Sequence, residues 1–248
     1  MAIRFILAPL TGGKRDGLTL ASAFAAAAPL AAHVRTLFVR PDPTESLPYF
    51  GDEVAPSMAQ EIVDAAREAA DAASASAQAA LAAAASSAGF EIVDRPMRGP
   101  GVSFTEMRGH FADCIARAGQ FADLIVFGPL KEDDRPGLSD AFEAALLKTG
   151  CPVLLGSITQ QRPFARVAIG WNATPASTHA VRAALPYLTK AEKVLTIVVQ
   201  SGSATEIGIE DLRNYLRVHD IEPEIISADA PSRAICDVLL ESAVANSA

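Results

Sequence analysis

The chain has little of what marks a secreted, membrane-bound or nucleic-acid-binding protein. Its three cysteines, Cys114, Cys151 and Cys236, are far apart and odd in number. They give no disulfide framework and none of the short spacings of a zinc site. A reducing, cytoplasmic setting is the expectation. Long apolar runs are missing as well. The run from Phe5 to Leu10 is too short for the core of a signal peptide. The apolar stretch 21–34 contains Pro29 and is too short to span a bilayer. Positive charge is scarce, with 21 Lys and Arg against 29 Asp and Glu, a net charge of −8. No basic run is interleaved with aromatics. Nucleic acid and anionic membrane are therefore not the expected partners.

What is present is a core-forming chain. Half of its 248 residues are hydrophobic, enough for one large domain or two small ones. Short apolar runs alternate with helical stretches. In the first half the runs 4–10, 34–39, 90–93, 122–127 and 152–155 read as buried strands. Between them 18–30, the Ala-rich stretch 58–86 and 141–148 read as helices. Phe104, Met107, Phe111 and Ile115, at spacings of three and four, predict another helix. Residues 41–56 form a loop rich in Pro, Gly and acidic residues, and 156–163 form a connector.

The pattern then restarts. Strands are predicted at 167–171, 194–199 and 224–226. Helices are predicted at 180–188 and 210–218, with Pro175 in the first turn of the earlier one. Asp229-Ala230-Pro231 opens a last helix, with Ile235, Val238 and Leu239 on one face. The halves share the order strand, helix, Pro-Leu, strand at an offset of about 160 residues. Strands alternating with helices imply an α/β fold of two Rossmann-like units with parallel sheets, over residues 1–158 and 164–248. Ligands of such sheets sit where strands end and helices begin. The loop 128–140, after the 122–127 strand, is the first place to look.

The segments ADLIVFG (122–128), GCPVLL (150–155) and IGWNATPASTHAVRAALPYLTKAEKV (169–194), in this order and spacing, resemble the universal stress protein family in its tandem two-domain form. The resemblance covers nearly the whole chain. It implies a fold of the adenine nucleotide alpha hydrolase type. Members that bind ATP hold the nucleoside with an acidic residue just after the first strand and a backbone contact near the end of the second. Their phosphate loop, G-x2-G-x9-G-[ST], follows the fourth strand. Its glycines admit phosphate to the backbone, and a helix N-terminus donates N–H groups.

This sequence departs from that pattern at most positions. Thr11 stands at the acidic position, followed by a retained Gly12, and Val39 fits the second-strand contact. Gly128 matches the first loop glycine. Lys131 takes the second, and Ser139-Asp140 takes the final pair, with Glu132-Asp133-Asp134 between. Asp140 and Glu143 read as a capping pair that would use the N–H groups a phosphate needs. It would also place carboxylates beside the phosphate. Lys131 and Arg135 partly offset this charge. In the second half Asn172 holds the acidic position. Judged by the first half's own plan, a last strand, loop, helix and strand are missing there, and with them a second phosphate loop. A truncated second unit is the expectation.

Other candidates carry less. Glu132, Asp133, Asp134 and Asp140 suit a hard cation but lack EF-hand spacing. His110 and Cys114 are four apart with no further ligand nearby. His179 has no nucleophile or acid to work with. Cys151 starts a strand and reads as a buried thiol. The expectation is a non-enzymatic stress-response protein with a degenerate ATP site, acting by partner binding. The alternative is an adenine-nucleotide-binding protein with weak ATPase activity, its surviving contacts Gly12, Val39, Gly128, Ser139 and Asn172. The candidate nucleotide-site positions as a whole are Thr11, Gly12, Val39, Gly128, Ser139, Asp140 and Asn172. The resemblance implies pairing through the last strand of a unit, from Pro152 to Leu155, and hence a homodimer or pseudo-dimer.

Overall fold

In a computed structural model of the protein, residues 2–43, 56–130, 137–157, 164–200, 208–229 and 234–246 are described. The chain divides into two compact units, Ala2–Gln160 and Gln161–Ala248.

The first unit runs β1 (Phe5–Leu10), α1 (Asp16–Ala27), a 3-10 turn (Ala28–Leu30), β2 (His33–Arg40), α2 (Pro56–Ala88), β3 (Glu91–Ile92), β4 (Gly101–Arg108), α3 (Phe111–Gly119), β5 (Leu124–Phe127), α4 (Leu138–Lys148) and β6 (Val153–Leu155). Its six strands are all parallel, in the order β3-β4-β2-β1-β5-β6. Leu7 pairs with Arg35 on one side and Ile125 on the other. Alternate side chains point to opposite faces. Leu7, Leu37, Ile125 and Phe127 therefore share a face, and they pack with Phe111, Ile115, Ala141 and Ala145 of α3 and α4. Gly150, with φ +66°, turns the chain out of α4.

Two sequence expectations need correction here. Phe104 and Met107 lie in β4, not in a helix, and α3 begins only at Phe111. Their spacing of three suits a helix, but seven residues of β4 pair with β2, and that pairing overrides a local periodicity. The predicted 90–93 strand shrinks to the two residues of β3, an edge strand paired to β4.

The second unit runs β7 (Arg166–Trp171), α5 (Pro175–Leu188), β8 (Lys193–Gln200), α6 (Ile209–Val218), β9 (Glu224–Asp229) and α7 (Ile235–Ala245). Its described strands form a parallel three-stranded sheet, β7-β8-β9. Ile169, Trp171, Val194, Leu188, Leu212 and Leu216 make its core. Pro175 is the first residue of α5, as expected. Asp229 closes β9 rather than opening a helix, and α7 starts at Ile235. No helix among the described residues is long and apolar enough to cross a membrane.

Candidate functional site

The strand order of the first sheet reverses between β1 and β5. From β1 the chain moves to β2 and on to β4 on one side, then returns to β5 and β6 on the other. Such a switch point opens a crevice at the carboxyl ends of the strands. The loops bordering it follow β1 (Thr11–Arg15) and β5 (from Gly128), which are the two stretches the sequence singled out.

The loop after β1 is organised by a residue the sequence reading missed. Asp16, the first residue of α1, is 2% exposed. Its Oδ1 accepts from the Thr11 backbone N–H at 2.9 Å and the Thr11 hydroxyl at 2.9 Å, and its Oδ2 accepts from the Gly12 N–H at 2.8 Å. The Thr11 Oγ1 in turn accepts from the Gly13 N–H at 3.1 Å. An acidic group therefore stands near the end of the first strand after all. It sits five residues downstream and is turned back onto the loop's own donors. The only sequence sign is an acidic residue following the Gly12-Gly13 turn. Gly12 has φ +77°, and a Cβ there would meet the Ala73 carbonyl and lie 2.7 Å from the Ala73 Cβ. Helix α2 thus lies directly against this loop.

Gly128 has an equally local reason to be glycine. A Cβ on it would sit 2.5 Å from Thr19 Oγ1 of α1. A Cβ on Gly156 would meet Ser22 of the same helix. Both glycines let α1 approach the ends of β5 and β6.

Val39 is 1% exposed, its side chain in the core cluster beneath α3. It extends one residue past β1, whose pairing with β2 ends at Leu10 and Phe38. The next residue, Arg40, forms ion pairs with Asp71 of α2 and, at 3.3 Å, with Glu106 of β4. Ser74 of α2 donates to the other Glu106 oxygen.

Helix α4 begins differently from the expectation. Its N-cap is Gly137, at φ +84°, with no side-chain cap hydrogen bond. Ser139 and Asp140 are exposed residues of the first turn. Asp140 is therefore not the cap, because the left-handed glycine ends the loop three residues earlier. Its carboxylate still places negative charge near the helix start. Lys131, Glu132, Asp133, Asp134 and Arg135 lie outside the described residues.

In the second unit Asn172 follows β7. Its Oδ1 accepts from the Thr174 hydroxyl at 2.7 Å and the Thr174 N–H at 3.3 Å. Thr174 caps α5, its Oγ1 accepting from the Ser177 N–H at 3.3 Å. Asn172 and His179 are exposed, while Trp171 is buried at the strand end.

The remaining candidates are structural. His110 is the N-cap residue of α3, and the Cys114 thiol is buried against the Arg108 carbonyl at 3.5 Å. Among the described residues no group of three or more His, Cys, Asp or Glu is arranged to hold a metal ion. The Cys151 thiol donates to the Ala122 carbonyl at 3.2 Å. Burial first, and then the Asp123 charge, push its pKa up to about 12. At neutral pH it is a thiol, not a nucleophile.

No protein-family model matches this chain, and no curated protein matches it. Solved structures do. A universal stress protein from Archaeoglobus fulgidus DSM 4304 superposes with a TM-score of 0.68 at 13% identity, over 98% of this chain and 84% of that one. A protein of unknown function from Pseudomonas aeruginosa PAO1 superposes with a TM-score of 0.50 at 18% identity, over 100% of this chain and 80% of that one.

Proposed function

We propose that this chain, which has the universal stress protein fold, is a non-enzymatic, cytoplasmic stress-response protein that acts by binding partners, its ATP site degenerate. One observation carries the reading. The loop after β1, where a nucleoside would be held, is closed on itself by the buried Asp16. That carboxylate already accepts three hydrogen bonds and is sequestered from solvent. Releasing it to a ribose would take the partner from donors in a part-buried loop, at a cost of about 1 kcal/mol each. Gly128 supports the same reading, since Thr19 occupies the space its missing side chain leaves. Calorimetric titration of the whole chain with ATP and Mg²⁺ tests it. No binding below millimolar ATP is expected, and micromolar binding overturns it.

The second reading is an adenine-nucleotide-binding protein with weak ATPase activity. It is favoured by the start of α4, where Gly137 stands at the N-cap in place of the expected carboxylate and makes no side-chain cap hydrogen bond. The same titration decides between the two.

We further propose homodimerisation through the strand from Pro152 to Leu155. In its favour, β6 is an edge strand and Leu155 is 48% exposed. Light scattering at high concentration is expected to give twice the chain mass for wild type and a monomer for Leu155→Lys. A monomeric wild type rejects the interface.

A further inference from the structure

Helix α2 is long, yet little apolar surface holds it. Its buried residues are Ala70, Ser74, Ala77, Leu81 and Ala85, one helical stripe in which Leu81 is the only large side chain. Helix α1, by contrast, buries Leu20 and Phe24. Among residues 57–69 of α2 none is buried. Small side chains remove little area from water, so each turn of α2 is held weakly.

What fixes α2 in place is concentrated at the carboxyl ends of the strands. Asp71 pairs with Arg40 at the end of β2. Ser74 donates to Glu106 of β4, which also pairs with Arg40 at 3.3 Å. Gln78 donates to Ser74 Oγ at 3.3 Å. Between Asp71 and Ser74, Ala73 lies against Gly12 of the crevice loop. At the other end α2 stops at Gly89, whose φ is +71°. Beyond it Phe90 stacks on Phe24 of α1 at 4.4 Å. The helix is therefore anchored past a glycine at one end and tied by an ionic cluster near the crevice.

We propose that α2 is a hinged strap over the strand ends, latched by Arg40, Asp71, Glu106 and Ser74, whose release about Gly89 uncovers the loop at Thr11 and Gly12. A segment held by few large apolar contacts opens at a lower free energy than the core around it. Partly exposed ion pairs give a latch that salt loosens. The Asp71 side chain is 70% exposed, and those of Glu106 and Arg40 are 33% and 18% exposed. The strap shares the strand ends with the proposed function but does not depend on whether nucleotide binds there.

Hydrogen exchange of the whole chain, without any ligand, tests this. Amides of residues 70–85 are expected to exchange together, at least tenfold faster than those of β1 and β2. Arg40→Ala is expected to raise their rate about fivefold, as the loss of such pairs does. Molar KCl should do the same in wild type and nothing further in the variant. A second probe is Ala77→Cys, at a fully buried position of the stripe. Its alkylation should speed up with Arg40→Ala while that of Cys114 does not. Exchange of α2 in step with β1 and β2, or indifference to both Arg40→Ala and salt, overturns the strap.

Discussion

The turns after β1 and after β7 occupy equivalent places in the two units and solve the same problem with reversed parts. Both put their second residue in the left-handed region, Gly12 at φ +77° and Ala173 at φ +55°. In the first unit the glycine is on the turn and an alanine, Ala73, faces it from helix α2. In the second the alanine is on the turn, and the space opposite is a glycine, Gly208 at the start of α6, whose added Cβ would lie 3.4 Å from that of Ala173. The polar ties differ likewise. A buried carboxylate, Asp16, gathers three donors in the first turn, whereas an exposed amide, Asn172, gathers two in the second. Both turns are closed, but only the first is packed too tightly to admit a second methyl group.

The difference in burial predicts a difference in energy. Asp16→Ala strands three hydrogen-bond donors, two of them backbone N–H groups, in a part-buried loop. We expect it to cost the first unit about 3 kcal/mol. Urea denaturation followed by circular dichroism measures this. A loss below about 1 kcal/mol would mean that the Asp16 cluster is ornamental, and the proposed closure of the site would lose its basis.

The glycines sharpen the contrast. Gly12→Ala meets the backbone of Ala73 and also pays the left-handed penalty, so about 3 kcal/mol is expected. No trimming of side chains on α2 can rescue it, because the obstacle includes a carbonyl. Gly208→Ala meets only ordinary contact distances. It should cost about 1–2 kcal/mol, the backbone penalty alone. Equal losses at the two sites would show that the close packing of α2 on Gly12 is not what distinguishes them.

A third asymmetry concerns pH. His33, 1% exposed in the first sheet, is bound through Nε2 to Ser103 Oγ at 2.9 Å and stacked on Phe5. Among the described residues its Nδ1 has no partner. Burial lowers its pKa from 6.5. Above pH 6.5 the ring is neutral in both folded and unfolded chains and costs nothing. As the pH falls below 6.5 the unfolded chain takes up a proton that the folded chain refuses. Stability is lost from there down to the lowered folded pKa, by at most ~1.4 kcal/mol per pH unit. Urea midpoints of the first unit at pH 7.5 and 5.5 should differ in this direction. His33→Gln should be less stable at pH 7.5 but show a flatter slope.

Most of the architecture was legible because buried parallel strands are mainly apolar runs: β1, β5, β7 and β8 announce themselves this way, and β2 does so through Leu37, Phe38 and Val39 despite Arg35 and Thr36. β4 did not. Its outer half, from Phe104 to Arg108, is at most half-buried, so polar residues interrupt the run and Phe104 and Met107 mimic a helix. Only pairing with β2 decides the matter. Of the candidate positions, the placement of Thr11, Gly12 and Gly128 at strand ends of the first unit and of Asn172 at one of the second was legible. The role of Asp16 was not, since a helix-start aspartate becomes an internal ligand only when the loop folds back over it. The start of α4 was misread for a related reason: Asp140 and Glu143 have the spacing of a capping pair, but the backbone reversal at Gly137 sets where the helix begins.

The smallest effect tests whether the two turns are interchangeable. Asn172→Asp gives the second turn a carboxylate of its own, facing the same Thr174 donors. Because Asn172 is exposed, the charge stays hydrated and pays no burial cost. It also sits just ahead of α5, where a negative charge is favoured by the helix dipole. A gain of about 0.3–1 kcal/mol in the second unit is expected at low salt, fading as salt is raised. The reverse change, Asp16→Asn, should lose more than that gain, because it removes a charge from three short hydrogen bonds inside the protein. If both substitutions moved stability by the same small amount, burial would not be what separates the turns, and the first would be as open to a ligand as the second.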